Sequence, residues 1–453
     1  MSQPQDDEQV ALVDESGVGV GQAPRSQVRA QNLRHSATGV LVRDSYGLVY
    51  VHRRTDTKDV FPGAYDCVAG GVVLAGETPQ AAAERELAEE LGVSGVPLRP
   101  LLTAAYADEH TRYVAYVYEA TWDGPIAHQP AEVAWGSWMT LEELLRRLDD
   151  PAWPFVPDSR QLIEQILAGL ARDRVLIDTG WDSRAWLVEG TWLDREPRRA
   201  AVADRLRTET RLMPWLAARL SVELPVPRVI QDEPLLVRHR YVGGEPLRTA
   251  DIGLCAEIAV ALRRLHDQPV AEAVGLGVPD AATSRATLMS ELRRFTDDVL
   301  PLLDPRQRTT GVDLIDQVAQ APFDTLVHGD LGPEHIVVRN RSEVGIIDWT
   351  DVHIGDAALD LAWLLHGTDS DFAAAFRRAY EPSPETLRRS LVWHRLGPWY
   401  EVVYGLDEHH PERVASGLAG VEARLLATIA RGTARCWRRC RSTGRARCPA
   451  CRR

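Results

Sequence analysis

Short β-rich apolar runs and stretches of helical period alternate along this chain, and their order divides it into parts. Residues 1–34 mix Gln, Gly, Ser and acidic residues without a sustained period, so they are expected to form a disordered leader. Order is expected to begin near Ser36. The runs ATGVLVRD and LVYVHRR, split by SYG, predict a hairpin. A helix is predicted from about Thr78 to Leu91, stopped by Gly92. Further strands are predicted at TRYVAYVYEATW and EVAWGSWM, and TLEELLRRL opens on a Thr140/Glu143 capping pattern that begins a helix. The resulting α/β unit, residues 35–168, has the size of one ordinary domain.

The proline-rich DDPAWPFVPDSR is an exit loop and QLIEQILAGL a closing helix. A second unit, residues 173–430, is then expected. Its small lobe (173–245) has β-like RVLID, the turn TGWDSR, β-like AWLVEG, a long helix and a second strand pair ending at YVGGEPL. Its larger lobe (246–430) is dominated by helical period, interrupted around VHGD…IIDW. Residues 431–453 are a basic, Cys-rich tail, expected to be disordered.

At 453 residues the chain is too long for one ordinary core, in keeping with this division. A net charge of −13 argues against a general nucleic-acid-binding surface, because phosphate neutralisation needs clustered cations. Neither a secretory leader nor a run of 18 apolar residues is visible, so a membrane partner is not expected and the location expected is the cytoplasm. Four of the six cysteines lie in the last 18 residues, at Cys436, Cys440, Cys448 and Cys451. Their central spacing of seven is short for a zinc site, and no metal is assigned there. Lys58 is the only lysine. Fixed positive charge elsewhere must come from arginine.

The chemistry concentrates in two places. From Gly71 the chain reads GVVLAGETPQAAAERELAEELGV, with Gly71, Glu77, Arg85, Glu86, Glu89, Glu90 and Gly92 at fixed spacing. Glu86, Glu89 and Glu90 stand at i, i+3 and i+4 and share one helical face. Three carboxylates that close repel one another unless a divalent cation neutralises them, and all-oxygen ligation suits Mg²⁺ or Mn²⁺. Such an ion can polarise a phosphoryl oxygen and activate a water. Arg85 can orient a carboxylate, with Glu77 the best placed, and Gly70 and Gly71 permit a close backbone approach at which a carbonyl can serve as ligand.

This run is the box of the Nudix hydrolase family, which residues 36–165 resemble. The resemblance implies an α/β/α sandwich, metal ligation by Glu86 and Glu90, and Glu89 as ligand or base. Upstream, HRRTDTKDVFPGAYDCVAGG is similar to the Nudix branch related to isopentenyl-diphosphate isomerase. Arg53, Arg54 and Lys58 can receive substrate phosphates there. That isomerase carries a cysteine immediately before the first box glycine. Here Gly70 holds the position and Cys67 lies three residues earlier, so isomerase chemistry is disfavoured. Nudix enzymes often recruit one more acid from a later loop, and Glu132 is the candidate.

The second place is LVHGDLGPEHIVV…VGIIDWTDVHIGDAALDLAWLL, residues 326–365. An apolar strand leads to Asp330, and Asp348 ends another. Two such acids are what phosphoryl transfer requires, one taking the proton of the attacking hydroxyl and one holding Mg²⁺ on nucleotide phosphates. The segment resembles the aminoglycoside phosphotransferase and choline kinase-like family, over about residues 173–430. The resemblance implies a bilobal protein-kinase-like fold with ATP as co-substrate, Asp330 as base and Asp348 as main metal ligand. His335 stands where most members have a metal-binding asparagine. Asp356 and Asp360 look like acids that pin the catalytic loop, and Arg195, with Glu209 as helix partner, stands near the place of the missing lysine.

The sequence therefore predicts an α/β multidomain, bifunctional enzyme acting on small molecules. One activity would be metal-dependent cleavage of a diphosphate-linked compound and the other phosphorylation of a hydroxyl. The competing reading is a hydrolase joined to a catalytically weak or inactive kinase-like domain that only binds a ligand. The oligomeric state is not legible.

Overall fold

A computed structural model of the chain describes residues 8–58, 60–170, 174–178 and 183–425. The Cys-rich tail and most of the TGWDSR turn lie outside the described residues. The described chain divides into two compact units, one running to Pro197 and including Arg228–Tyr241, the other made of Arg198–Pro227 and the chain from Val242.

The first unit is built around β3 (His35–Arg43). Upstream lie β1 (Gln9–Val13), β2 (Gly19–Pro24) and α1 (Arg25–Ala30). These occupy the span expected as a disordered leader, which is corrected here. β1 and β2 pair, Leu12 of β1 pairs with His35, and Val10, Ala23 and Val28 form a small core. The order comes from docking on β3, a contact that local periodicity cannot display.

Downstream come β4 (Val49–Arg54), β5 (Tyr65–Asp66), β6 (Val68–Val72), α2 (Pro79–Leu91), β7 (Arg99–Ala107), β8 (Arg112–Thr121) and β9 (Val133–Met139). Two helices, α3 (Leu141–Leu148) and α4 (Pro157–Leu170), follow. β3 runs parallel to β8 from His35↔Tyr113 to Arg43↔Thr121 and antiparallel to β6 from Ala37↔Val72 to Leu41↔Val68. β3 and β4 pair only at the hairpin mouth, Arg43↔Val49.

Strand alternation decides which helix covers which face. Val40 and Val42 point to the core that holds Ala83, Leu87 and Leu91 of α2. Leu41 belongs to the opposite core, with Leu144 of α3 and Ile163 of α4. Full burial of side chains such as Leu87 and Leu91 stabilises by about 2 kcal/mol each. α2 is capped at Thr78, whose side chain accepts from Ala81 N, and ends on Gly92 at φ +67°, the left-handed geometry glycine supplies without strain.

The same unit contains a five-stranded sheet in the order β10-β11-β12-β14-β13: β10 (Arg174–Asp178), β11 (Ser183–Val188), β12 (Trp192–Pro197), β13 (Arg228–Asp232) and β14 (Leu235–Arg240). The turn between β3 and β4 touches it. Arg228 Nη1 lies 2.8 Å from Asp44 Oδ2, Arg43 Nη2 lies 2.9 Å from Glu189, and Arg238 Nη1 donates to the Tyr46 carbonyl at 3.1 Å.

The second unit begins with α5 (Ala200–Ala217) and the short β15 (Glu245–Pro246). Helices α6 (Cys255–His266), α7 (Val270–Gly275), α8 (Ala281–Arg294) and α9 (Pro305–Ala319) follow. β16 (Thr325–Val327), β17 (Ile336–Arg339), β18 (Glu343–Ile346) and β19 (His353–Gly355) make two small sheets, β15-β17-β18 and β16-β19. The last described elements are α10 (Ala362–His366), α11 (Ser370–Tyr380), α12 (Pro384–Asp407) and a helix over 411–425. One core gathers Leu262, Ile336, Ile346, Trp349 and Phe372, and a second gathers Phe295, Leu396, Trp399 and Val421. No helix among the described residues is long and apolar enough to cross a membrane.

Candidate active sites

In the first unit the acids converge where α2 passes β6. Arg85, one-quarter exposed, gathers three of them: Nε and Nη2 each reach the Glu77 carboxylate at 3.1 Å, and Nη1 reaches Glu86 at 2.7 Å and Glu89 at 3.4 Å. Leu74 N donates to Glu77 as well, at 3.2 Å. Bonding to Arg85 lowers the Glu77 pKa. Burial pushes the Glu86 carboxyl up, against the pull of Arg85. Glu89 is the exposed member of the set.

Glu90 is almost wholly buried, and Gly70 N donates to its Oε2 at 3.2 Å. Burial pushes its carboxyl well above the usual range, and a hydrogen bond with Glu132 adds to this. Glu132 is itself held by Lys58 Nζ at 2.6 Å; burial alone would raise its pKa, but Lys58 and Glu90 together lower it. The tertiary structure thus brings Glu132 and Lys58 to the helix that carries the box. Arg54 lines the adjoining cavity, while Arg53 turns to Asp56 at 2.6 Å and takes no part in the cluster. Gly71 faces Glu86 so closely that any Cβ there would collide with the carboxylate. Cys67 is buried, and burial pushes its thiol up, which suits a packed side chain and not a nucleophile.

These residues fit a divalent cation. Among the described residues no three acids or imidazoles already cage an ion, because Arg85 and Lys58 hold several of the carboxylates. Yet Glu86, partly buried, and Glu90, buried, are carboxyls on one helical face, raised by desolvation and beside a backbone that approaches closely. A cation there would offset the burial that pushes both carboxyls up.

In the second unit Asp330 follows β16 and Asp348 follows β18. Asp348 has φ +60°, a left-handed backbone that turns its carboxylate out of the strand direction. His335 lies between the two acids, Nδ1 3.6 Å from Asp330 Oδ2 and Nε2 3.8 Å from Asp348 Oδ2. Because a carbonyl can only accept, the 2.6 Å contact with Asp330 O fixes the proton on Nδ1 and turns Nε2 toward Asp348. Burial alone would lower the His335 pKa, but that carbonyl and the two carboxylates raise it.

Asp360 holds the loop from beneath. It is fully buried and accepts from His328 N at 2.8 Å and Gly329 N at 3.1 Å, with His266 Nε2 at 3.0 Å and Tyr380 behind that ring at 2.7 Å. Burial would raise its pKa, but His266 and His328 lower it. Gly329, at φ +92°, leaves no room for a Cβ against the Asp351 carbonyl. Asp356 serves elsewhere. Its carboxylate takes Arg389 at 2.8 and 3.0 Å and Trp393 Nε1 at 3.0 Å, so it ties α12 to the segment before α10. Glu209, buried on α5, lies 3.1 Å from Thr350 Oγ1, which is also 2.9 Å from Asp348 Oδ1. Arg195 is buried in the first unit on β12, with Ser183 Oγ 3.5 Å away.

Comparison with known proteins matches the chain to two families. Residues 33–164 match the NUDIX domain model and residues 173–393 the model of the phosphotransferase enzyme family. The Nudix hydrolase orf19 of Rhodococcus erythropolis is 50% identical over 167 residues, which is 35% of this chain and 90% of that one. The chain belongs to the Nudix hydrolase family. The Nudix hydrolase YfcD of Escherichia coli K12 is 42% identical over 152 residues, 34% of this chain and 82% of its own. For the phosphotransferase region, the solved GDP and kanamycin complex of the aminoglycoside phosphotransferase APH(2″)-IIIa aligns with a TM-score of 0.50 at 23% identity, covering 58% of this chain and 98% of that one. That likeness establishes a kinase-like fold. The protein is thus an enzyme in which a Nudix hydrolase domain is fused to a phosphotransferase-family domain.

Sequence reasoning missed several residues around these sites. Asp66, Tyr113, Asp158 and Ser159 stand around the Nudix cavity, yet they come from separate strands and a helix and carry no common spacing. His266 lies far in sequence from the loop that Asp360 holds, so only packing reveals it.

Proposed function

We propose that the Nudix domain hydrolyses a diphosphate-linked small molecule and that the second domain transfers a phosphoryl group from a nucleotide to the hydroxyl of another. The observation that carries the first half is the linked set Glu77–Arg85–Glu86–Glu89 beside the Glu90–Glu132–Lys58 group. Glu86 and Glu90, with the Gly70 backbone, would hold Mg²⁺ or Mn²⁺. When bound, the ion would offset carboxylate charge and polarise a phosphoryl oxygen.

The protein side of the reaction falls to five side chains. Arg85 fixes Glu77 and Glu86 in place, so the carboxylates need not reorganise as the substrate arrives. Lys58 and Arg54 supply positive charge for phosphate oxygens. Exposed Glu89 is free to take a proton from water, and Glu132 tunes Glu90. In the second domain Asp330 takes the proton of the acceptor hydroxyl, Asp348 and His335 would hold Mg²⁺, and the Asp360 bonds keep the base in place. ATP is the proposed donor; the GDP in the related structure adds a guanine nucleotide as a second donor to try.

A second reading of that domain, as a weak or inactive ligand binder, is favoured by one observation. His335 already spans the two acids, at 3.6 and 3.8 Å.

Phosphate release from nucleoside diphosphate derivatives, sugar nucleotides, dinucleotides and prenyl diphosphates, with Mg²⁺ or Mn²⁺, tests the hydrolase. Metal-dependent turnover that disappears in Glu90→Gln supports it; no turnover across the panel with metal binding intact overturns it. For the kinase, ATP or GTP consumption with a hydroxylated acceptor should vanish in Asp330→Ala. Failure of the wild type to bind either nucleotide favours the second reading.

A further inference from the structure

A cavity of about 240 Å³ lies beside the catalytic cluster of the Nudix domain, with Gly70 and Gly71 in its wall. Gly70 N contacts Glu90 and Gly71 faces Glu86, so the cavity adjoins the carboxylates that act on the diphosphate. Its lining is divided. Val28, Phe61, Val68, Val117 and Leu162 make it apolar in part. Arg25, Arg29 and Arg54 add positive charge, and Arg29 is exposed.

Two acids also line it. Asp66 is 5% exposed, and Asp158 at the start of α4 is half-buried. Asp158 accepts from Tyr113 Oη at 2.6 Å and from Ser159 N at 3.0 Å, while Asp66 accepts from Val68 N at 3.0 Å. Both carboxyls are pushed up, first by burial and further, for Asp158, by the charge of Asp66. Nothing in the proposed chemistry at Glu86–Glu90 uses these acids. Yet they line a space sized for an organic group, and the charge of Arg54 reaches Asp66.

Resting on the hydrolase reading, we infer that this cavity receives the organic part of the diphosphate substrate, and that Asp66 and Asp158 select an organic part bearing an amino or ammonium nitrogen. The reasoning is electrostatic. In their ionised form two neighbouring carboxylates only accept, so they disfavour a carbonyl oxygen or an anion, whereas an N–H donor, above all a cationic one, gives their oxygens the partners that water would give outside. The apolar walls accommodate the rest of the group, and the arginines of the lining supply positive charge for the phosphates.

The test uses the full chain and two matched pairs, CDP-linked against UDP-linked and ADP-linked against IDP-linked compounds, which differ in an amino group against a carbonyl. Metal-free binding of CMP and UMP is measured alongside. The wild type should favour the amino member at least tenfold, in kcat/KM or in binding. Asp158→Asn and Tyr113→Phe, checked for folding by circular dichroism, should bring the ratio within about threefold. Hydrolysis of the better substrate should persist in both variants and be lost in Glu90→Gln.

Equal use of both members, a preference for the carbonyl member, or a ratio unmoved by either substitution would overturn the inference and leave the hydrolase reading intact. If no diphosphate is cleaved, the hydrolase reading falls. The binding ratio then decides the inference alone, and equal or absent binding of CMP and UMP counts against it.

Discussion

The guanidinium of Arg85 meets the carboxylate of Glu77 through two contacts of 3.1 Å, one from Nε and one from Nη2, while Nη1 extends to Glu86 at 2.7 Å. Only a planar fork can serve two carboxylates this way; a lysine offers a point charge. Arg85→Lys is therefore expected to lower kcat by about 10- to 100-fold and to raise the Mn²⁺ concentration needed for half activity. A metal titration of phosphate release checks this. Unchanged metal demand and kcat would show that Arg85 only decorates the helix.

Glu90 keeps a raised pKa through burial and the neighbouring Glu132. An acid raised in the fold binds more protons there than in the unfolded chain, so its contribution is present below the ordinary carboxyl value of 4.5 and is lost as pH rises through the folded value. Metal-free protein should therefore melt higher as Glu90→Gln than as wild type at pH 8, with the gap closing toward pH 4. Differential scanning calorimetry in a chelator measures it. A destabilised variant at pH 8 would contradict the upward shift of Glu90.

His52, 2% exposed on β4, behaves in the opposite sense. Burial first, and then the charge of Arg54, lower its pKa from 6.5 to about 3. The imidazole is neutral in the fold and takes a proton on unfolding, so stability is complete above about pH 6.5 and falls as pH drops toward 3. That difference is worth on the order of 5 kcal/mol at most. His52→Leu should flatten the acid limb of the denaturation curve. An unchanged limb would place the acid sensitivity elsewhere.

Asp360 is wholly buried and bonded to His266 and to two backbone amides. Asp360→Ala leaves the imidazole and both amides without their acceptor, at a cost of roughly 3–5 kcal/mol. Asp360→Asn keeps one acceptor oxygen and should lose less. Urea denaturation of the two variants, followed by tryptophan fluorescence, should give midpoints in that order.

Asp44 and Arg228 join the β3–β4 turn to the five-stranded sheet at 2.8 Å, with Asp44 buried and Arg228 half-exposed. Their coupling in a double-mutant cycle should be about 1 kcal/mol, as for a partly shielded pair. A coupling near zero would leave Asp44 as a turn acceptor only, through Tyr46 N and Leu48 N.

Spacing alone made the box legible. Glu86, Glu89 and Glu90 share a face because an α-helix repeats every 3.6 residues, and Thr78 and Gly92 bound that helix for local reasons of capping and backbone freedom. Asp330 and Asp348 were legible because apolar runs ending in acids place carboxylates at strand ends. Local chemistry also marked α3, through Thr140. None of this required a long-range contact.

What spacing could not reveal is what those elements meet. Residues 9–30 look featureless until β1 finds β3. Lys58 and Glu132, 74 positions apart, meet because β4 and β9 are neighbours in the sheet. Asp66, Tyr113 and Asp158 surround one cavity only after β3, β6 and β8 align. The sequence determined the catalytic helix and the acids on it, since these follow from local periodicity. The tertiary structure decided which charges face them and what shape of substrate they can reach, because both depend on non-local packing.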